Sequence, residues 1–153
     1  MSINITSLKG LSFHLLQFHF HWHQHNDEGT EHAIDGKKFA AEMHFVHQND
    51  IYKSREEAAE HSDGFVVLSV IFEKTRKTNP FLNPIISALT KIVDYPKNTT
   101  LQENFYILDL LPNKLNEFYM YEGSFTTPPC HEAVTWIIFQ EISSISENQV
   151  MNN

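Results

Sequence analysis

Histidines occupy every second position of Phe18–His25, FHFHWHQH, and alternate there with large aromatic side chains. On a β-strand, residues two apart share a face. His19 and His21 would then stand side by side, close enough to share one metal ion. The other face of the same strand carries His14, Leu16, Phe18, Phe20 and Trp22 and reads as core. The pattern returns in KKFAAEMHFVHQ, with Phe39, Ala41, Met43 and Phe45 on one face and Ala40, Glu42, His44 and Val46 on the other. If the two strands pair, His44 completes three histidines, the donor set of a catalytic zinc whose fourth position stays open to water. Gln17 and Glu42 sit where they can bond ligand rings and fix their tautomers. A lone histidine on a strand is most often a hydrogen-bonded structural residue, and two leave that reading open. The third, with an amide and an acid as supports, favours the metal. His23, His25, His32 and His47 lie at or beyond strand ends, or on the opposite face, and read as surface or structural residues.

The elements that must position these side chains are mostly strands. Alternation or short runs rich in Val, Ile and Phe predict strands over 13–22, 38–47, 65–72, 105–110, 117–121 and 134–140. One helix is expected after Asn83 as its cap, with Pro84 in the first position, Ile85, Leu89, Ile92 and Val93 as its apolar face, and a stop at Tyr95-Pro96. The polar stretch 52–64 reads as a solvated excursion with a short helical turn, since Ser54 and Glu57 have capping-box spacing. No internal repeat or Gly/Ser linker interrupts the chain, which therefore reads as mainly β with minor α.

Composition narrows the partners. The 153 residues, 41% hydrophobic and with 12 Phe, suffice for one domain with a substantial core. Eleven basic residues against 19 acidic ones, a formal charge of −8, argue against nucleic acid or an anionic membrane as the main partner. Small molecules or other proteins are expected instead. The chain has no membrane-length apolar run, and MSINITSLKG lacks the regions of a signal peptide. The single cysteine, Cys130, excludes an internal disulfide and a Cys-based structural zinc site. Asn4-Ile5-Thr6 and Asn98-Thr99-Thr100 form glycosylation sequons, a weak pointer to a secreted glycoprotein.

QFHFHW, EHAIDGKKFAAEMHFVH and GSFTTPPCHEAVTW, in that order and spacing, resemble the signature blocks of the α-class carbonic anhydrases, with similarity from about Asn4 to about Gln149. The resemblance implies one partial domain over 1–153, built on a central, largely antiparallel twisted sheet. It implies Zn²⁺ held by His19, His21 and His44, with Gln17 supporting His19 and Glu42 supporting His44. It gives Thr126 and Glu31 catalytic roles: the Thr126 hydroxyl donates to Glu31 and accepts from the attacking hydroxide, aiming its reactive lone pair at substrate, with Thr127 beside it. Val46, Val67, Phe125 and Trp136 match the apolar pocket for carbon dioxide, although each is equally ordinary as core. The implied reaction is reversible hydration of carbon dioxide to bicarbonate and a proton, blocked by sulfonamides.

Family members are longer at both ends, so the sheet is expected to be incomplete. The family's proton-shuttle histidine has no counterpart, and His14, His23 and His25 are not at its place. Phe125 stands where many relatives have leucine. Secreted relatives often pair a cysteine at the Cys130 position with one nearer their N-terminus, which together with the sequons suggests a secreted parent; a cytoplasmic protein is the alternative. The rival functions are a catalytically impaired fragment, a carbonic anhydrase-related binding module, or a histidine-rich chain that binds zinc without a competent cavity. No oligomeric state is implied.

Overall fold

The structure is a computed structural model and describes residues 2–4, 10–23, 28–90, 101 and 105–151. Its elements are β1 (Ser2–Asn4), β2 (Ser12–Trp22), β3 (Ala41–Asn49), α1 (Arg55–Ala59), β4 (Phe65–Thr75), α2 (Asn83–Leu89), β5 (Phe118–Gly123), β6 (Val134–Phe139), β7 (Ser143–Ser146) and α3 (Glu147–Met151). The strands form one sheet in the order β1-β2-β3-β4-β6-β5, and β7 also pairs with β4. β1 with β2 and β5 with β6 are antiparallel, whereas β4 runs parallel to both β6 and β7. The mainly β expectation with minor helix holds, on a mixed sheet.

The chain divides into two compact units. The first comprises Met1–Phe20, Met43–Ser69 and Asn116–Gln140. Its core gathers Val46, Ala58, Phe65, Val67, Ala133, Val134 and Trp136, with Leu16, Tyr52, Ala59 and Phe125 packed against it. The parallel register of β4 on β6 sets Val67 opposite Trp136. Parallel strands are normally covered on both faces, and the β6 residues Val134–Phe139 are all buried. α1 begins as its sequence predicts. Ser54 Oγ accepts from Glu57 N at 3.1 Å, and Glu57 Oε2 reaches back to Lys53 N at 2.8 Å.

The second unit comprises His21–Glu42, Val70–Leu115 and Glu141–Asn153. Asp35 and Gly36, both at positive φ, make a tight turn closed by the Ile34–Lys37 bridge. Gly29 lies so close to β3's approach that a Cβ there would meet Ala40 O at 2.0 Å, which fixes the course of the loop through Glu31 and His32. Elsewhere Gln149, buried, donates to Asn79 O and Asn83 Oδ1 and accepts from Asn79 N and Ser146 N.

Several expected elements differ. The strand expected over 105–110 is a 3₁₀ turn, Ile107–Leu110. Asp109 N bonds Tyr106 O and Leu111 N bonds Leu108 O, so the donors are satisfied locally. Leu108 is 62% exposed while Leu110 is buried, which is not the burial of a core strand. Asn83 is not the cap of α2: Asn79 accepts from Phe81 N and caps a 3₁₀ turn, Pro80–Leu82, that runs straight into the helix. Asn83 is drawn inside by its bond to Gln149. Ile92, Val93 and the expected stop at 95–96 lie outside the described residues. Strand β3 starts three residues later than expected and is buried on both faces. On β2 the fully buried side chain is Phe13, and Trp22 is 47% exposed, because the even-numbered face is only partly covered, Phe18 lying 5.8 Å from Phe45. β1 and β7 were not foreseen.

Candidate metal centre

The i, i+2 spacing on β2 and the matching position on β3 bring three imidazoles together. His19, His21 and His44 each offer a ring nitrogen within 4.8 Å of the others. The His19 and His44 rings meet edge to face at 5.2 Å, and His44 also meets the Trp136 ring at 4.8 Å. His44 is buried, while His19 and His21 are half-buried. Three neutral nitrogen donors converging from two strands suit zinc.

The supports are partly those expected. Gln17 Oε1 lies 2.9 Å from His19 Nδ1. An amide oxygen only accepts, so His19 carries its proton on Nδ1 and its lone pair on Nε2. Glu42 is fully buried, and its carboxylate takes the His32 backbone N–H at 2.9 Å and the His32 ring Nδ1. His32, Glu42 and His44 form a second set whose polar atoms lie within 4.8 Å of one another. His32 is thus structural, as read from sequence, but its part in holding the acid beside His44 was missed. The two are ten residues apart across a loop, and no local spacing signals the contact. Glu31 Oε2 stands 3.5 Å from His21 Nε2, a further contact with no sequence signal.

The other site residues fall in the first unit. Val46, Val67 and Trp136 are members of its buried core, and Phe125 packs on them. Phe125 meets Phe65 edge to face at 4.9 Å. Val46, Phe125, Thr127 and Gln17 line a pocket of about 330 Å³. Thr126 and Thr127 are exposed in a turn that holds the cis Pro128–Pro129 bond and in which Cys130 N donates to Thr127 O at 3.0 Å.

Of the remaining histidines, His47 is buried, with Nδ1 3.0 Å from Phe45 O, and burial lowers its pKa to about 4. His14 Nδ1 lies 2.6 Å from Asp50 Oδ1. His23 is exposed beyond β2, and His25 lies outside the described residues. No helix among the described residues is long and apolar enough to cross a membrane.

Comparison with known proteins agrees with this geometry. The family model for eukaryotic-type carbonic anhydrase matches residues 1–152. Carbonic anhydrase 1 of Monodelphis domestica is 44% identical over 140 residues, 91% of this chain and 52% of that protein. Carbonic anhydrase 1 of Mus musculus is 40% identical over the same shares. The chain spans about half the length of these curated relatives. Matched by the family model along almost its whole length, the chain belongs to the eukaryotic-type carbonic anhydrase family.

Proposed function

We propose that the chain catalyses the reversible hydration of carbon dioxide to bicarbonate and a proton, using Zn²⁺ held by His19, His21 and His44. The observation that carries the reading is the convergence of those three rings within 4.8 Å, in a member of this family. Bound zinc would supply the Lewis acidity that brings the pKa of water to ~7, for which carbonic anhydrase is the standard example. The donor set fits that ion, because Gln17 fixes His19 in the tautomer whose Nε2 lone pair can ligate. The buried Glu42, anchored by His32, stands beside His44 with their polar atoms within 4.8 Å of each other. A buried carboxylate without such partners would be costly.

The remaining residues handle substrate. Carbon dioxide is small and apolar and needs an apolar wall, which Val46, Val67, Trp136 and Phe125 provide from one cluster. The family resemblance makes Thr126 and Glu31 the residues that would orient the attacking oxygen, with Thr127 lining the approach. The proposed protein is extracellular, with Cys130 and the sequons as the supporting features.

Stopped-flow hydration by the chain loaded with one equivalent of zinc tests the reading, with the metal-free chain and His44→Ala as controls. Zinc-dependent turnover, lost in His44→Ala and blocked by a sulfonamide, is expected. Turnover no faster than in the controls would refute it.

A further inference from the structure

β5 ends the sheet, and among the described residues no strand lies on its outer side. Its ladder with β6 runs unbroken from Phe118 opposite Phe139 to Gly123 opposite Val134, and Gln140 N donates to Glu117 O at 2.9 Å in the pair before them. In an antiparallel ladder, directly opposite residues exchange hydrogen bonds only at alternate pairs. Glu117, Tyr119 and Tyr121 therefore bond toward β6, and the N–H and C=O groups of Phe118, Met120 and Glu122 point to the open edge.

Edge strands are normally blunted by short length, lysine, proline or a bulge. The other end of the sheet follows that rule, because β1 is only the three residues Ser2–Asn4. β5 is the six-residue run FYMYEG, whose one charge is Glu122 and whose register has no bulge. Tyr119, Met120 and Tyr121 are 50%, 46% and 43% exposed. Successive residues face opposite sides of a sheet, so large side chains lie open on both faces of this edge. Tyr121 is already ordered by its stack on Trp136 at 6.3 Å, which lowers the entropy cost of meeting a partner.

We propose that two copies of this chain join at β5, antiparallel about a two-fold axis at Met120. Met120 then faces Met120 of the second copy, Phe118 faces Glu122, and Tyr119 faces Tyr121. The outward backbone groups of each strand bond those of the other, and the tyrosines form aromatic cross-strand pairs on one face. Charge favours this occupant and register, since each Glu122 lies opposite a phenylalanine and each Glu117 opposite Gly123, so no two acids meet. A self-matched contact of this kind closes at two copies. One strand per copy is a small seam beside the roughly 1,200 Å² at which stable interfaces begin. The charge of −8 on each copy also opposes approach, so the dimer is expected in the micromolar range and should tighten with added salt.

Sedimentation equilibrium of the full chain over micromolar concentrations tests this, and a monomer–dimer equilibrium is expected. Met120→Lys and Met120→Glu each set like charges face to face and should weaken the dimer by about tenfold or more. An equimolar mixture of the two should regain it, because lysine then faces glutamate. Tyr119→Thr keeps a strand-forming residue but removes the cross-copy aromatic pair, and should weaken the dimer as well. A wild-type chain that stays monomeric, its edge covered from within one chain, overturns the proposal. Assembly beyond two copies, association that none of the substitutions weakens, or a mixture no tighter than either charged variant alone also overturns it.

Discussion

His19 is oriented by an amide two residues back on its own strand, and Glu42 by a histidine ten residues away. In the proposed zinc site both contacts would act on the metal only through the ring that holds it. Gln17→Ala and His32→Ala should therefore weaken zinc binding by about 10–100-fold each without removing it, as competition with a chelator would measure. An affinity equal to wild type in both would show that the rings need no such support. The first contact was legible in the sequence because strand spacing encodes it. The second was not, since it depends on where the loop after Gly29 lies. His47 carries a separate prediction. Its pKa falls from 6.5 to about 4 through burial, so between those values the unfolded chain binds a proton that the folded chain excludes. Stability is then full above about pH 6.5 and is lost as pH falls toward 4, by up to about 3 kcal/mol. In metal-free protein, His47→Gln should flatten that part of the urea midpoint against pH. A variant as acid-sensitive as wild type would contradict the assignment.

The elements that carry ligands and wall were readable because each is long or strongly patterned. β4 and β6 are apolar runs that end up buried in a parallel pair, and Ser54 caps α1 as expected, with Glu57 reaching back to Lys53 N instead of Ser54 N. What escaped was set by tertiary partners. β7 is the short polar run SSIS, a strand through its pairing with β4, and the run 105–110 becomes a turn because its donors close locally. Two substitutions probe the elements. Ser54→Ala should cost about 1 kcal/mol by removing the cap of α1, seen as a lower denaturant midpoint at unchanged slope. Gly29→Ala forces a methyl group to within 2.0 Å of Ala40 O, so it should cost about 1–3 kcal/mol and also weaken zinc, because the displaced loop carries His32. Wild-type stability in Gly29→Ala would mean that the loop has room the structure does not show.

For the molecule as a whole, zinc should act as a folding ligand, because the unfolded chain does not hold three histidines in one place. At free zinc about 100 times its Kd the stabilisation is about 2.7 kcal/mol, a rise in Tm of roughly 5–10 °C for a chain of this size. His44→Ala should lose that rise. At this scale the composition offers one guide to partners: a formal charge of −8 argues against a polyanion. The fold class could be read from strand patterns, and the histidine cluster that could hold a metal from the two strands that carry it. The Thr126 and Glu31 roles came from resemblance alone, because an exposed threonine before two prolines and a loop acid have no distinguishing pattern of their own. The most direct test of the whole account is zinc K-edge absorption of the chain loaded with one equivalent of metal. Three imidazole nitrogens at about 2.0–2.1 Å, absent from His44→Ala, are predicted. A sulfur neighbour from Cys130, or a spectrum indifferent to His44, would contradict it.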